Sequence, residues 1–163
     1  MYNFSYNNMG YYTGIPSCSG DTSKYLSFIR FNTGLPTQYS FKADIMFGST
    51  AYQSGISVNQ DFSIATTAKL NAVMHFANRN YGLIQRGGGA SWQRTEGRLS
   101  INKWYTFEIS FDGTTYTGTI YDGETVVGTW NFINLEVTPV DACIIWGEGS
   151  ETVNFKNIKI KPL

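Results

Sequence analysis

Two Asp-Gly pairs, each set between runs of alternating apolar and polar residues, constrain the fold of this chain most. They are Asp112-Gly113 and Asp122-Gly123, and the runs around them are WYTFEISF, YTGTIY and TVVGTW. Asp-Gly between alternating runs is the strongest short-range signal for a β-hairpin, because glycine accepts the positive φ that tight hairpin turns require. The segment 104–132 is therefore predicted to form three consecutive antiparallel strands.

The first of these runs also predicts which side chains face the core. Successive side chains of a strand point to opposite faces of the sheet, so every second residue shares a face. The apolar set that is predicted to face the core is Tyr105, Phe107, Ile109 and Phe111. The polar set that is predicted to face outward is Thr106, Glu108 and Ser110.

The same strand signals recur along the rest of the chain, and helical periodicity is almost absent. The predicted strands lie in KYLSFIRFN, YSFKADIMFGS, LNAVMHFANRNYGLIQR (two strands joined at Asn78–Asn80), ACIIWG and VNFKNIKIK. Phe41, Ala43, Ile45 and Phe47 share one face of their strand. About ten to twelve short strands at this spacing predict an all-β fold, an antiparallel β-sandwich. We expect residues 1–163 to form a single domain.

Composition excludes several classes of function. The 163 residues are 42% hydrophobic and 15% charged, with a formal net charge of zero, which is typical of a folded protein without a basic footprint for nucleic acid. Aromatic residues make up 16%, which favours strands and provides rings that can stack on flat ligands. No stretch is long and apolar enough to span a bilayer, so we expect no membrane insertion.

The first residues, MYNFSYNNMGYY, lack the pattern of a secretory signal. A signal removed earlier, transport within a virus particle and a cytosolic protein all remain open, and we expect an extracellular or virion-associated location. Cys18 and Cys143 either form one disulfide or stay as two buried thiols. Two cysteines without CxxC spacing and the single histidine, His75, do not predict a zinc site.

The segment INKWYTFEISFDGTTYTGTIYDGETVVG resembles the central meander of concanavalin-like (laminin-G-like) jelly rolls, and TVNFKNIKIKPL resembles their closing strand. Proteins of this kind include lectins, carbohydrate-binding modules, polysaccharide hydrolases and adhesion domains of phage tails and baseplates, so the resemblance fixes the fold better than the function. It also implies that a structural calcium could be present, although no cofactor is otherwise expected. The acidic residues available to such an ion are Asp21, Asp61, Asp141 and Glu151.

A glycoside hydrolase on this fold needs two carboxylates about 5–9 Å apart across a cleft. The E-x-D-x-x-E pattern of laminarinase-like relatives does not occur in the sequence. Glu148 and Glu151 lie in WGEGSE, which is predicted to be a turn, while Glu108 and Asp44 are each the only carboxylate on their strand. The sequence therefore predicts no catalytic residues and no enzyme, although a diverged hydrolase stays an alternative.

The segment GLIQRGGGASWQRTEG, residues 82–97, holds the predicted ligand site. Its glycines are predicted to form a turn or bulge, because no Lys-Ser/Thr of a phosphate-binding loop follows them. If 90–96 is a strand, Trp92 and Arg94 share a face, and a ring beside hydrogen-bonding groups suits a sugar. The predicted ligand-binding residues are Trp92, Arg86, Arg94, Gln93 and His75. Alternatively, Trp92 caps the edge of the sandwich and His75 is an ordinary strand residue.

Two functional hypotheses follow. The first is a non-catalytic carbohydrate-binding or adhesion module that recognises a polysaccharide or cell-surface glycan, as part of a larger multidomain enzyme or a phage tail. The second is a structural or assembly domain of a virion or baseplate, whose aromatic surfaces meet other proteins. Neither requires a nucleic-acid partner.

Overall fold

The computed structural model of the protein describes residues 2–6, 11–16, 26–31, 37–48, 53–58, 72–77, 80–85, 99–132, 143–148 and 153–163, with side chains in 37–48, 55–58, 99–129, 131 and 154–163. These ranges contain twelve β-strands and no helix. The strands are β1 Tyr2–Tyr6, β2 Tyr11–Pro16, β3 Leu26–Phe31, β4 Tyr39–Phe47, β5 Gln53–Val58, β6 Ala72–Ala77, β7 Asn80–Gln85, β8 Trp104–Phe111, β9 Tyr116–Asp122, β10 Thr125–Phe132, β11 Cys143–Glu148 and β12 Val153–Pro162. The sequence predicts a turn at WGEGSE, and this prediction is wrong for Glu148, which belongs to β11.

The strands form two antiparallel sheets. The larger sheet has seven strands in the order β1-β2-β12-β4-β8-β9-β10, and the smaller has five in the order β3-β11-β5-β6-β7. Every neighbouring pair is antiparallel, and the meander β8-β9-β10 follows the chain as the Asp-Gly turns predict. β12 lies between β2 and β4, so strands from the two ends of the sequence meet inside the larger sheet.

The core is formed by the apolar faces of both sheets. From the larger sheet it receives the side chains Tyr39, Phe41, Ala43, Ile45, Phe47, Tyr105, Phe107, Ile109, Tyr116, Ile120 and Phe155. From the smaller sheet it receives Ile56 and Val58, both fully buried. The alternating pattern predicted the members of this core that come from β4 and β8, and only Phe111 of the predicted set is half-buried. Burial of each large apolar side chain contributes about 1.5–3 kcal/mol, so this layer joins the sheets into the predicted sandwich.

The two Asp-Gly turns have the backbone that their sequence predicts. Gly113 has a φ of 98° and Gly123 a φ of 60°, values that an L-residue rarely adopts. The carboxylate Oδ1 of Asp112 accepts hydrogen bonds from the backbone N–H groups of Thr114 (2.8 Å) and Thr115 (2.7 Å). These bonds lower the pKa of Asp112, since they favour its ionised form. Local side-chain chemistry therefore fixes the register of β8 and β9.

A bulge in β12 decides which of its residues face outward. Lys156 lies opposite Asp44, but Lys159 lies opposite Lys42, so three steps along β12 match two steps along β4. The inserted residue is Asn157, whose φ of 50° is left-handed. Because of this insertion, Lys156 and Lys159 share the outer face although they are an odd number of residues apart.

Candidate functional site

The outer face of the larger sheet, away from the core, is polar. The alternation that buries every second residue of β4, β8 and β9 turns the intervening residues outward. The outward side chains are Ser40, Lys42, Asp44, Met46, Trp104, Thr106, Glu108, Ser110, Thr117, Thr119, Tyr121, Lys156, Lys159 and Lys161. Cross-strand register, rather than sequence proximity, decides which of them meet.

Glu108 is the centre of a hydrogen-bonded network on this face. Its carboxylate accepts bonds from the Ser40 hydroxyl (2.5 Å) and the Tyr121 hydroxyl (2.9 Å). The Lys42 ammonium lies 2.9 Å from its Oε2, and only 13% of the Glu108 side chain is exposed. The carboxylate is therefore held by three donors from two neighbouring strands.

This network sets the protonation of its members. Burial alone raises the pKa of Glu108, but the bonds from Ser40, Lys42 and Tyr121, together with the positive charge of Lys42, lower it below its ordinary value. Burial and the bond to Glu108 raise the pKa of Tyr121. Glu108 is therefore anionic and Tyr121 is a protonated donor at neutral pH.

A second carboxylate, Asp44, lies diagonally across from Glu108. Asp44 pairs with Thr106, which precedes Glu108 by two residues on β8. Its oxygens accept bonds from the Thr106 hydroxyl (2.6 Å) and the Asn157 side-chain amide (2.7 Å). The sequence showed each carboxylate alone on its strand. The pair arises across two strands, which inspection of single strands could not detect.

Two aromatic rings lie beside these carboxylates. The Lys156 ammonium lies 4.1 Å from the ring centroid of Trp104, and the Lys42 ammonium lies 5.4 Å from that of Tyr121. Tyr121 pairs with Thr106, two residues after Trp104 on β8, so the two rings are diagonal neighbours. We refer to Trp104, Tyr121, Lys42, Asp44, Glu108 and Lys156 as the aromatic-polar face.

The aromatic-polar face combines the groups that a sugar requires. An aromatic ring offers a platform for the apolar face of a pyranose, while carboxylates and ammonium groups bond its hydroxyls. A sugar ring could stack on the side of Trp104 that Lys156 covers only by displacing the Lys156 ammonium, and a half-buried contact of this kind contributes about 0.5–2 kcal/mol.

The predicted ligand site at 82–97 is largely untested. Arg86, Trp92, Gln93 and Arg94 lie outside the described residues, so this prediction stays open. His75 lies in β6 of the smaller sheet, with its backbone opposite Gly55 of β5 and Gly82 of β7.

Trp104 and Tyr121 are not among the ligand-binding residues predicted from the sequence. The signal for Trp104 was present, because it precedes the core residue Tyr105 and therefore faces outward. Its neighbours on the outer face come from β4 and β12, and no local pattern in the sequence predicts them.

The predicted calcium ligands Asp21, Asp61, Asp141 and Glu151 lie outside the described residues, as does Cys18. Within the part of the chain that the structure describes, no three His, Cys, Asp or Glu residues gather at a point where they could share a metal ion. The same ranges contain no helix of the length and hydropathy needed to cross a membrane.

Comparison with known proteins identifies the fold. No family model and no curated protein matches the sequence. Among solved structures, the carbohydrate-binding module CBM66 from Bacillus subtilis matches with a TM-score of 0.67 at 14% identity, over 99% of this chain and 92% of that one. The chain has a concanavalin-like jelly-roll fold.

Other solved structures share this jelly roll. Alginate lyase A1-II′, a member of polysaccharide lyase family 7, matches with a TM-score of 0.66 at 10% identity, over 98% of this chain and 82% of that one. The alginate lyase from Klebsiella pneumoniae matches with a TM-score of 0.61 at 10% identity, over 98% of this chain and 84% of that one. At these identities the likeness shows the fold alone.

Proposed function

We propose that this jelly roll is a non-catalytic carbohydrate-binding module that recognises a glycan through its aromatic-polar face. The observation that supports the proposal is the pair of neighbouring rings, Trp104 and Tyr121, which lie beside Lys156 and Lys42 on the outer face of the larger sheet. The solved structures of the same fold include a carbohydrate-binding module and alginate lyases, which supports a glycan as the class of ligand. Such a module acts outside the cell or on a virion.

The groups around the rings suit recognition more than chemistry. Glu108 and Asp44 each accept hydrogen bonds from at least two side chains, so both carboxylates are fixed in place. Rigid acceptors of this kind bind hydroxyls with little loss of side-chain entropy. A general acid for glycoside cleavage requires a raised pKa, whereas the pKa of Glu108 is lowered.

Loss of Trp104 tests the binding proposal. We expect Trp104→Ala to weaken glycan binding at least tenfold, because the stacking platform is removed. Trp104→Phe, the matched control, keeps a smaller ring and retains part of the affinity. Affinity electrophoresis against a panel of neutral and acidic polysaccharides measures both variants, and circular dichroism confirms that they fold.

Two outcomes would contradict this assignment in different ways. If Trp92→Ala abolishes binding and Trp104→Ala does not, the ligand site lies in the segment 82–97. If the folded wild-type chain binds no polysaccharide of the panel, the module hypothesis fails, and a structural role in an assembly becomes the better proposal.

One observation favours a second function, glycoside hydrolysis. Asp44 and Glu108 are diagonal neighbours on adjacent strands. Diagonal neighbours in a sheet lie about 7–8 Å apart, which is comparable with the carboxyl separations of about 5–9.5 Å in glycosidases. If the chain is a glycoside hydrolase, it releases reducing ends from a bound polysaccharide, and Glu108→Gln and Asp44→Asn each abolish this release. We expect no release above that of these variants.

A further inference from the structure

One strand of the larger sheet carries a row of positive charges across the outer face. Lys156, Lys159 and Lys161 of β12 lie opposite Asp44, Lys42 and Ser40 of β4. We refer to Lys42, Lys156, Lys159 and Lys161 as the lysine stripe. The extra residue in the bulge at Asn157 turns Lys159 and Lys161 to the same outer face as Lys156, and this produces the stripe.

The outer face of the larger sheet has fewer carboxylates than lysines among its described side chains. The described outward side chains include the four lysines of the stripe and two carboxylates, Asp44 and Glu108. Their formal charges add up to an excess of two positive charges. This excess is local, because the whole chain has a formal net charge of zero. An anion that lies along this face is therefore attracted to it.

Within the stripe, Lys159 is the residue with the least favourable surroundings. Like charges directly opposite each other on neighbouring strands are destabilising, and Lys159 lies directly opposite Lys42. Lys42 contacts Glu108, but Lys159 and Lys161 are exposed and have no ion pair with any residue in the described ranges. An anionic group between Lys159 and Lys42 would relieve this repulsion.

The stripe and the rings form one continuous surface. Lys156 lies over Trp104, and Lys42 lies over Tyr121. A ligand whose sugar ring stacks on Trp104 therefore has the ammonium groups of β12 within reach along the same sheet. A polymer with an anionic group on its sugar residues can stack on the rings and also pair with Lys159 and Lys161. A neutral sugar gives these two lysines no anionic partner.

We propose that the ligand is an acidic polysaccharide, whose sugar rings stack on Trp104 and Tyr121 while its carboxylate or sulfate groups pair with the lysine stripe. This inference rests on the proposed function and names the class of glycan. Nucleic acid fits less well, because a local excess of two charges on a formally neutral chain is far smaller than the basic surface that many phosphate contacts require.

Affinity electrophoresis of the full chain tests the charge requirement with matched polymers. The probes are polygalacturonate and its fully methyl-esterified form, which has the same backbone without charge, together with dextran sulfate and dextran. We expect the acidic polymer of at least one pair to retard the chain and its neutral partner to do so much less, with retardation that weakens as NaCl is added. The pair that responds distinguishes carboxylate from sulfate.

Charge removal at defined positions tests the location. We expect Lys159→Gln/Lys161→Gln to weaken binding of the retarding polymer roughly three- to tenfold, because two exposed ion pairs are lost. Lys103→Gln is the matched control, since Lys103 is an exposed lysine outside the stripe that pairs with Asp122 at 2.6 Å. This control is expected to bind like the wild type.

The outcomes separate this inference from the function on which it rests. Equal retardation by the charged and neutral polymers overturns the acidic specificity and leaves the carbohydrate-binding function standing. A loss of binding free energy in Lys103→Gln that is as large, per charge removed, as the loss in the double variant also overturns it, since the effect would then be one of net charge. Retardation by double-stranded DNA as strong as by the acidic polymer overturns the assignment to a polysaccharide. Failure of every polysaccharide to bind overturns the proposed function itself.

Discussion

At the scale of the residue, Glu108 shows how a half-buried charge is tolerated in a sheet. Removal from water disfavours its carboxylate, yet Ser40, Lys42 and Tyr121 each provide a donor, and their combined effect lowers its pKa. A lowered pKa in the folded state means that the ionised network stabilises the fold. Glu108 is therefore expected to contribute to stability as well as to the ligand face.

The stability that Glu108 contributes depends on pH. We expect Glu108→Gln to lower the free energy of unfolding by about 1–3 kcal/mol at pH 7, because the donors around it lose their charged acceptor. Since the folded pKa lies below the ordinary value of 4.5, the contribution is full above pH 4.5 and is lost as pH falls through the folded pKa. Urea unfolding at pH 7 and at pH 3 should therefore show a gap between wild type and variant that narrows in acid.

A charge-matched control accompanies this measurement. Glu124→Gln removes a carboxylate from the exposed loop between β9 and β10 and is expected to change stability by less than about 0.5 kcal/mol. A Glu108→Gln variant as stable as the wild type at pH 7 would show that the network adds nothing to the fold.

At the scale of the element, the bulge of β12 determines the composition of the outer face. Asn157 adopts a left-handed φ of 50° and donates a hydrogen bond from its side-chain amide to Asp44. Asparagine tolerates this conformation because its short polar side chain bonds locally. Asn157 therefore allows the backbone to form the bulge and also holds the Asp44 carboxylate in place.

Substitution of Asn157 separates these two roles. We expect Asn157→Val to lower the free energy of unfolding by about 1–2 kcal/mol or more, because a β-branched residue is strained at a left-handed φ. Asn157→Gly can keep the left-handed φ and removes only the hydrogen bond to Asp44, so we expect a smaller decrease in the free energy of unfolding. Thermal unfolding of both variants measures the difference. Equal losses would show that backbone conformation is unimportant at the bulge.

At the scale of the whole molecule, one apolar layer holds the two sheets together. Phe107 is fully buried in that layer, and its ring centroid lies 5.7 Å from that of Phe47. Ile56 and Val58 of the smaller sheet belong to the same core cluster. Damage to this layer is therefore expected to weaken both sheets at once, which is the behaviour of the single domain that the sequence predicts.

Truncation of Phe107 tests this cooperativity. We expect Phe107→Ala to lower the free energy of unfolding by about 3–5 kcal/mol through the cavity it leaves, and Phe107→Leu to cost much less. Far-ultraviolet circular dichroism and tryptophan fluorescence should report the same single transition for each variant. Two separated transitions would show that the sheets unfold independently and would contradict a single domain.

The sequence by itself determined the meander and the core face. Alternation in β8 and the Asp-Gly turns act over a few residues, so the strands, their order and the burial of Tyr105, Phe107 and Ile109 could be predicted locally. The jelly roll followed from the resemblance of the same segments. None of this required knowledge of which distant strands meet.

Only the tertiary structure decided which outward side chains form a surface. Asp44 bonds Thr106 across 62 positions of sequence, and β12 reaches β4 from the far end of the chain. A shift of one residue in either register would turn every side chain of that strand to the other face, so the network around Glu108 depends on pairings that the buried layer fixes. The lysine stripe depends further on one inserted residue, Asn157, which breaks the alternation of inward and outward side chains along β12. Local sequence patterns determine which side chains of a strand are buried, whereas pairing between distant strands determines which side chains lie together on the outer face of the sheet.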